Sequence, residues 1–476
     1  MKILLTEHAS VEVYHSIAGD GINTLALSEE IFARVNPDNI RVFKRERGRN
    51  IYPFLIQQKN AQTFSLTADY YVGVDWLVKE KKVIQVEPKI NTKLAAIFDA
   101  TTNDPDPEMS LESPNYNLPP VEYQEIDYLK ILLDIMAAGL PSRYTENLVL
   151  IDWNTSQIPV TQQEDRLTPF LIIQFLQLLK VIVRKGLKKS YYKVQKNLTN
   201  TIKGKILVGS NIKQNILKSR SLQTFCEYQV FGADNIENRF LKKVLRFAVS
   251  YIENNKSLFT GDNLTTITHL TNYCRPAFEQ IGNELNEDQL KQVRYSAFFK
   301  EYKEAIAVGR QILRKFAYNL SETANKEIKT PPFWIDMPRL FELYCYTQLL
   351  KANPQDKDYI HYQFSTYGNV LDVLISKPGC ELVIDAKYKL QYQKGQIHQD
   401  IRQVAGYARL NKVRNQLAAK AAENIACLIM YPDMNAIDFS YSLSNLLRKA
   451  ESVAAYCKVY KLGIRLPVIE KSGFSK

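Results

Sequence analysis

The chain has 476 residues, and its 62 Lys and Arg against 50 Asp and Glu give a formal net charge of +12. That length calls for two or three domains, and a composition of 45% hydrophobic and 24% charged residues excludes a disordered chain. The most apolar run, Phe170 to Val183, is broken by Gln174, Gln177 and Lys180, so it reads as a buried amphipathic helix and no membrane partner is expected.

Residues 1–125 read as a β-rich module. VEVY (11–14), IRVF (40–43), FSL and YYVGV (between 64 and 74) and VIQVEPKI (83–90) are β-branched or aromatic runs separated by polar turns. The opening MKILLTEHAS turns polar at Thr6-Glu7-His8 and lacks the apolar core of an export signal. The six cysteines, at 226, 274, 345, 380, 427 and 457, have no zinc-type spacing. Reduced thiols in a cytoplasmic protein are therefore expected. Residues 99–125 hold seven acids, five prolines and no Lys or Arg, the composition of a linker.

Residues 126–330 read as a helical middle domain. YLKILLDIMAAGL, LIIQFLQLLKVIV, NRFLKKVLRFAVSYI and YKEAIAVGRQILRKFAYNL repeat apolar residues at three- and four-residue spacing. Between Arg166 and Cys226 this region has no Asp or Glu but thirteen Lys and Arg, Lys185, Lys188, Lys189, Lys193, Lys203 and Lys205 among them. Thirteen exceeds the net charge of the whole chain, so the remainder is near neutral. Such a concentrated field attracts a polyanion, and binding gains from counterion release.

Residues 331–476 change character again. Asp336 can cap a helix over 337–351 with Pro338 in its first turn. YIHYQFST (359–366), NVLDVLIS (369–376) and CELVIDAKY (380–388) follow as strands, the last two joined by the breaker Lys377-Pro378-Gly379. A helix over 397–422, a doubly buried strand IACLIMY (425–431) and a strand near 457–464 complete an αβββαβ order with one strand more. The expected fold class is multidomain α+β with a C-terminal α/β domain.

The chemistry concentrates in that last domain. Asp372 lies in an apolar strand, and Asp385 and Lys387, at i and i+2, share a face of the next. A tight hairpin brings Asp372 beside Asp385, and two acids among Val, Leu and Ile are costly unless something compensates them. Asp372, Asp385 and the Ala386 carbonyl offer hard oxygen ligands for Mg²⁺, with Lys387 placed to act on a water or a phosphate. His361 and His398 flank the region without a metal-ligand partner at useful spacing. There is no hydrolytic triad pattern and no GxxxxGK[ST] nucleotide loop.

A D…DxK triplet on a hairpin of an αβββαβ core resembles the PD-(D/E)XK nucleases of restriction systems, with Leu371 where a proline often stands. That resemblance implies a restriction-endonuclease-like fold, with Glu342 on the preceding helix helping to hold metal. It also implies a QxxxY motif at Gln403 and Tyr407 on the following helix. LLTEHAS, YYVGVDWLVKEKKVIQVEPKI, KGLKKSYYKVQKNLTNTIKGKI and NRFLKKVL extend it, in order, to the McrC family, the endonuclease subunits of McrBC 5-methylcytosine restriction systems. The acidic 99–125 segment has no counterpart there. The family likeness implies DNA as substrate and an McrB-like hexameric AAA+ GTPase as partner. It also implies an N-terminal module that docks on that motor and stimulates it. A stand-alone or differently partnered DNA- or RNA-processing nuclease and a non-catalytic, motor-activating adaptor remain alternatives; intact Asp372, Asp385 and Lys387 weigh against the adaptor.

Overall fold

The computed structural model describes residues 2–15, 24–35, 43–44, 50–91, 123–138, 140–145, 148–160, 165, 167–256, 259, 261–285, 299–320, 328–366, 368–389, 396–419, 423–436, 440–453 and 456–469. Most of the acidic 99–125 segment lies outside them, as do residues 40–42 of IRVF. The chain forms two compact units, Met1–Pro159 with Thr330–Lys476, and Val160–Lys329. This division differs from the expected segments 1–125, 126–330 and 331–476. The first and last segments share one unit, and residues 126–159 belong to it.

The reason lies in one short strand. Phe333–Asp336, buried at every position, inserts between Tyr71–Val78 and Val149–Ile151, antiparallel to both. The five-stranded sheet runs Lys2–Thr6, Lys82–Glu87, Tyr71–Val78, Phe333–Asp336, Val149–Ile151. Gly73 is required there, because a Cβ would lie 2.0 Å from the Phe333 carbonyl oxygen. Trp334 is fully buried, and its indole N–H donates to Asp75 at 3.1 Å. Trp334 joins Val13, Leu66, Ile84 and Leu150 in one apolar core. That core also takes in a four-stranded sheet ordered Thr24–Leu27, Ser10–His15, Thr63–Ala68, Phe54–Asn60.

Asp336 ends that strand and caps the helix Met337–Ala352, its carboxylate accepting the Arg339 N–H at 3.1 Å as the sequence predicts. The helix buries Leu340, Phe341, Leu343, Cys345 and Leu349. Next comes a six-stranded mixed sheet: Ile360–Thr366, Asn369–Ile375, Leu382–Ala386, Ala426–Pro432, Val459–Ile464, Glu451–Ser452. The first three strands are antiparallel. Leu382–Ala386 then pairs parallel with Ala426–Pro432, and that strand parallel with Val459–Ile464. The expected long helix is two, Gln396–Ala408 and Asn411–Gln416, separated where Leu410 turns extended. Ile401, Val404 and Val413 from these helices cover Val383, Cys427 and Ile429 of the sheet.

In the second unit the helices Leu167–Lys185, Ile236–Asn254 and Lys300–Leu320 match the expected periodicity, and Gly261–Cys274 is a further helix that none of the expected runs covers. Leu167–Lys185 is long and apolar enough to cross a membrane by length and composition, but most of it is buried inside the unit. The basic segment departs from the helical expectation. Ser190–Thr199 is a strand, antiparallel to Gln223–Gly232, which carries Lys205–Ile206 on its other edge. Tyr191, Lys193 and Gln195 are exposed while Tyr192 and Val194 are half-buried, an alternation of period two.

Candidate active site

The hairpin pairs Val373 with Ile384, Leu374 with Val383 and Ile375 with Leu382. The ladder ends at the Val373–Ile384 pair, and Asp372 and Asp385 are the next residues beyond it on the two strands, close enough for their charges to interact. The Ala386 N–H donates to Asp372 Oδ2 at 2.7 Å, which fixes the first carboxylate against the second strand. Asp385 is 2% exposed. Its Oδ2 lies 2.9 Å from Lys387 Nζ as an ion pair, yet no hydrogen-bond donor is aligned on it. Lys387 Nζ also donates to Gln403 Oε1 at 3.0 Å, and Gln403 Nε2 donates to the Tyr407 hydroxyl at 2.6 Å. The Lys387 backbone is held by its N–H to the Met430 carbonyl at 2.8 Å. Asp372, Ala386, Asp385, Lys387, Gln403 and Tyr407 are thus brought together.

Burial, then the charge of Asp385, pushes the Asp372 carboxyl up to about 7, against the pull of the Ala386 N–H and Lys387. Burial also raises Asp385, despite Lys387 beside it. Burial works against the Lys387 ammonium too, but Asp385 and Asp372 outweigh it and the group is raised. The two carboxylates compete for compensation, and either a proton or a cation relieves them. Two adjacent carboxylates, one of them buried with a single lysine beside it, are the oxygen donors a hard divalent ion takes. The residues fit Mg²⁺.

Glu342 stands on Met337–Ala352; burial first, and then the charges of Glu342 and Asp372, raise the Tyr362 phenol and the Cys345 thiol. Among the described residues, however, no three His, Cys, Asp or Glu side chains gather at ligating spacing. Glu342 is therefore not brought into a ligand triad with Asp372 and Asp385. His361 meets Ser376 Oγ at 2.9 Å and His398 meets the Tyr456 hydroxyl at 3.2 Å, so both rings have local partners.

Four residues at the site escaped the sequence reading. Lys389 Nζ donates to Asp400 Oδ2 at 2.6 Å, and Asp400 adds to the upward push on Asp385. The Tyr388 hydroxyl donates to Glu7 Oε2 at 2.8 Å in a buried contact. The segment after Asp385 is thus extended, with Lys387 and Lys389 facing the helix Gln396–Ala408 and Tyr388 facing the other way. The signal was present: 385, 387 and 389 share a strand face, and 400, 403 and 407 share a helix face. Nothing local marks Glu7.

The six lysines expected to meet nucleic acid divide. Lys189, Lys193, Lys203 and Lys205 are exposed, with Lys193 3.5 Å from Glu227 and Lys203 over the Tyr228 ring at 4.9 Å. Lys185 is exposed and paired with Glu301. Lys188 differs from the expectation: its ammonium is half-buried against the buried Glu237 at 2.5 Å, and its backbone N–H donates to Tyr302. That lysine holds its own unit together.

The fold and site define a multidomain α/β protein with a candidate divalent-cation site built on a hairpin. Residues 66–419 match the family described as McrBC 5-methylcytosine restriction system component, and the chain belongs to that family. It is also similar to two solved assemblies from Thermococcus gammatolerans. One is a half-complex, from a tetradecameric assembly, of McrB AAA+ hexamers with bound McrC, at 16% identity over 100% of this chain and 97% of that one, TM-score 0.38. The other is the McrBC complex, at 16% identity over 86% and 99%, TM-score 0.29. No curated protein matches the chain.

Proposed function

We propose that this chain is the nuclease subunit of its restriction system, a Mg²⁺-dependent endodeoxyribonuclease of the PD-(D/E)XK type. It would act, like the bound McrC of the similar assembly, with an McrB-like AAA+ GTPase hexamer. The observation that carries the reading is the buried Asp385 carboxylate set beside Asp372, with the Lys387 ammonium 2.9 Å from its Oδ2. Bound there, Mg²⁺ supplies a water of lowered pKa and offsets charge on the scissile phosphate.

The protein's own groups do the rest. Asp372, Asp385 and the Ala386 carbonyl would hold the ion, and Glu342 would add negative potential from the neighbouring helix. Lys387, steadied by Asp385 and by the Gln403–Tyr407 pair, keeps an ammonium where the attacking water and the phosphate meet. The exposed lysines of the three-stranded sheet supply a surface for the DNA backbone. With no nucleotide loop in this chain, translocation and recognition of the modified cytosine fall to the partner, in the cytoplasm. Asp372→Asn and Lys387→Ala should each abolish DNA cleavage while leaving circular dichroism and partner binding unchanged; near-normal cutting by either would refute the assignment.

A further inference from the structure

The ladder between Ile360–Thr366 and Asn369–Ile375 skips one rung. Tyr362 pairs with Val373 and Phe364 with Leu371, but the rung between them, Gln363 with Asp372, is missing. Gln363 has φ +50°, in the left-handed region. The other described non-glycine residues with positive φ, His8, Glu80, Asn200, Ser219, Ala418 and Lys458, all stand in turns or bends. Gln363 alone among them sits inside a strand, where an extended backbone is the rule. No residue is inserted, since the pairs on either side keep one register. The irregularity is one residue long and lies opposite a candidate metal ligand.

A left-handed residue turns its peptide groups out of the ladder plane, so the edge strand lets go of its neighbour at Asp372. Asp372 is instead tied from the other side, through the Ala386 N–H to Oδ2 at 2.7 Å. The Gln363 side chain contributes little, because its amide reaches only the Tyr362 hydroxyl, at 3.4 Å. We propose that Gln363 is a positioning residue whose left-handed backbone releases Asp372 from the edge strand, so that its carboxylate turns toward Asp385 and completes the cation site. This rests on the nuclease reading for the cation.

The test is calorimetric titration of Mg²⁺ into the full-length chain and its variants, with a urea midpoint for each. Affinity should follow tolerance of the left-handed region rather than side-chain chemistry. Gln363→Gly and Gln363→Asn should bind as wild type does, and Gln363→Ala more weakly. Gln363→Val should bind about tenfold more weakly, the scale of the left-handed penalty, with a midpoint no lower than wild type because a β-branched residue suits a strand. If the valine variant fails to fold, the order Gly, Asn, Ala carries the test. Wild-type affinity in Gln363→Val, or equal losses in Gly, Asn and Ala, would overturn the proposal. Equal Mg²⁺ binding by wild type and Asp385→Asn would instead refute the cation site on which it rests.

Discussion

At the proposed cation site, the protonation of Asp372 sets when the Asp372–Asp385 pair would take a cation. Burial and Asp385 raise Asp372 from 3.8 to about 7, so the folded chain binds this proton more tightly than the unfolded one. The resulting stabilisation is complete below about pH 4 and is lost as pH rises through about 7. Without cation, wild type should therefore lose thermal stability across that window, and Asp372→Asn should lose less. At pH 8 the Asn variant should melt several degrees higher, roughly the span that 1–2 kcal/mol gives a domain this size. Mg²⁺ should raise the melting temperature of wild type only, and its affinity should fall as pH drops below about 7. Identical melting profiles for the two proteins would show that Asp372 carries no such burden. The basic residues separate in the same residue-level way. Lys188→Ala should cost about 1–3 kcal/mol in urea unfolding, because it strands the buried Glu237. Neutralising Lys189, Lys193, Lys203 and Lys205 should leave the urea midpoint unchanged and flatten the salt dependence of DNA binding by roughly 0.9 in log–log slope per lost contact. A full salt slope in that variant would move the DNA surface elsewhere.

At the scale of elements, what was legible followed from local signals of adequate length. Asp336 before an apolar helix, the Lys377-Pro378-Gly379 breaker and the runs on either side of it placed the αβββαβ core within a few residues. The carboxylate pair was legible because the hairpin register follows from that one tight turn. The strand Phe333–Asp336 was not: four residues running straight into a helix show no alternation long enough to register. The strand Ser190–Thr199 was hidden by its lysines and by long helices on either side, although its exposure alternates plainly once seen. Gln363 leaves no mark in the sequence, because a single left-handed rung depends on its cross-strand neighbour. The close approach of Phe333 to Gly73 gives a direct test of the five-stranded sheet. Gly73→Ala sets a methyl 2.0 Å from a backbone oxygen, so backbone must move, at a cost of about 1–3 kcal/mol or more by urea denaturation. A midpoint equal to wild type would mean these two strands do not pack as described.

For the whole molecule, the consequence is that the N-terminal sheets and the candidate nuclease are not separable segments. Cutting the chain after residue 330 removes a strand from between Tyr71–Val78 and Val149–Ile151 and takes Trp334 out of the core. Such a fragment should lose the cooperative unfolding of the first unit, whereas residues 160–329 alone, being continuous, should fold and resist proteolysis. A cooperative, protease-resistant 1–330 fragment with native melting would contradict this interlocking. Because truncation disturbs both ends at once, a point substitution is the cleaner way to part the chemistry from partner binding. The decisive measurement follows DNA cleavage and GTP hydrolysis together, in one reaction containing the AAA+ partner, GTP, Mg²⁺ and methylated DNA, for wild type and Asp385→Asn. Asp385→Asn should lose cleavage while the partner's GTP hydrolysis stays stimulated; cleavage by Asp385→Asn at the wild-type rate would overturn the assignment of the site.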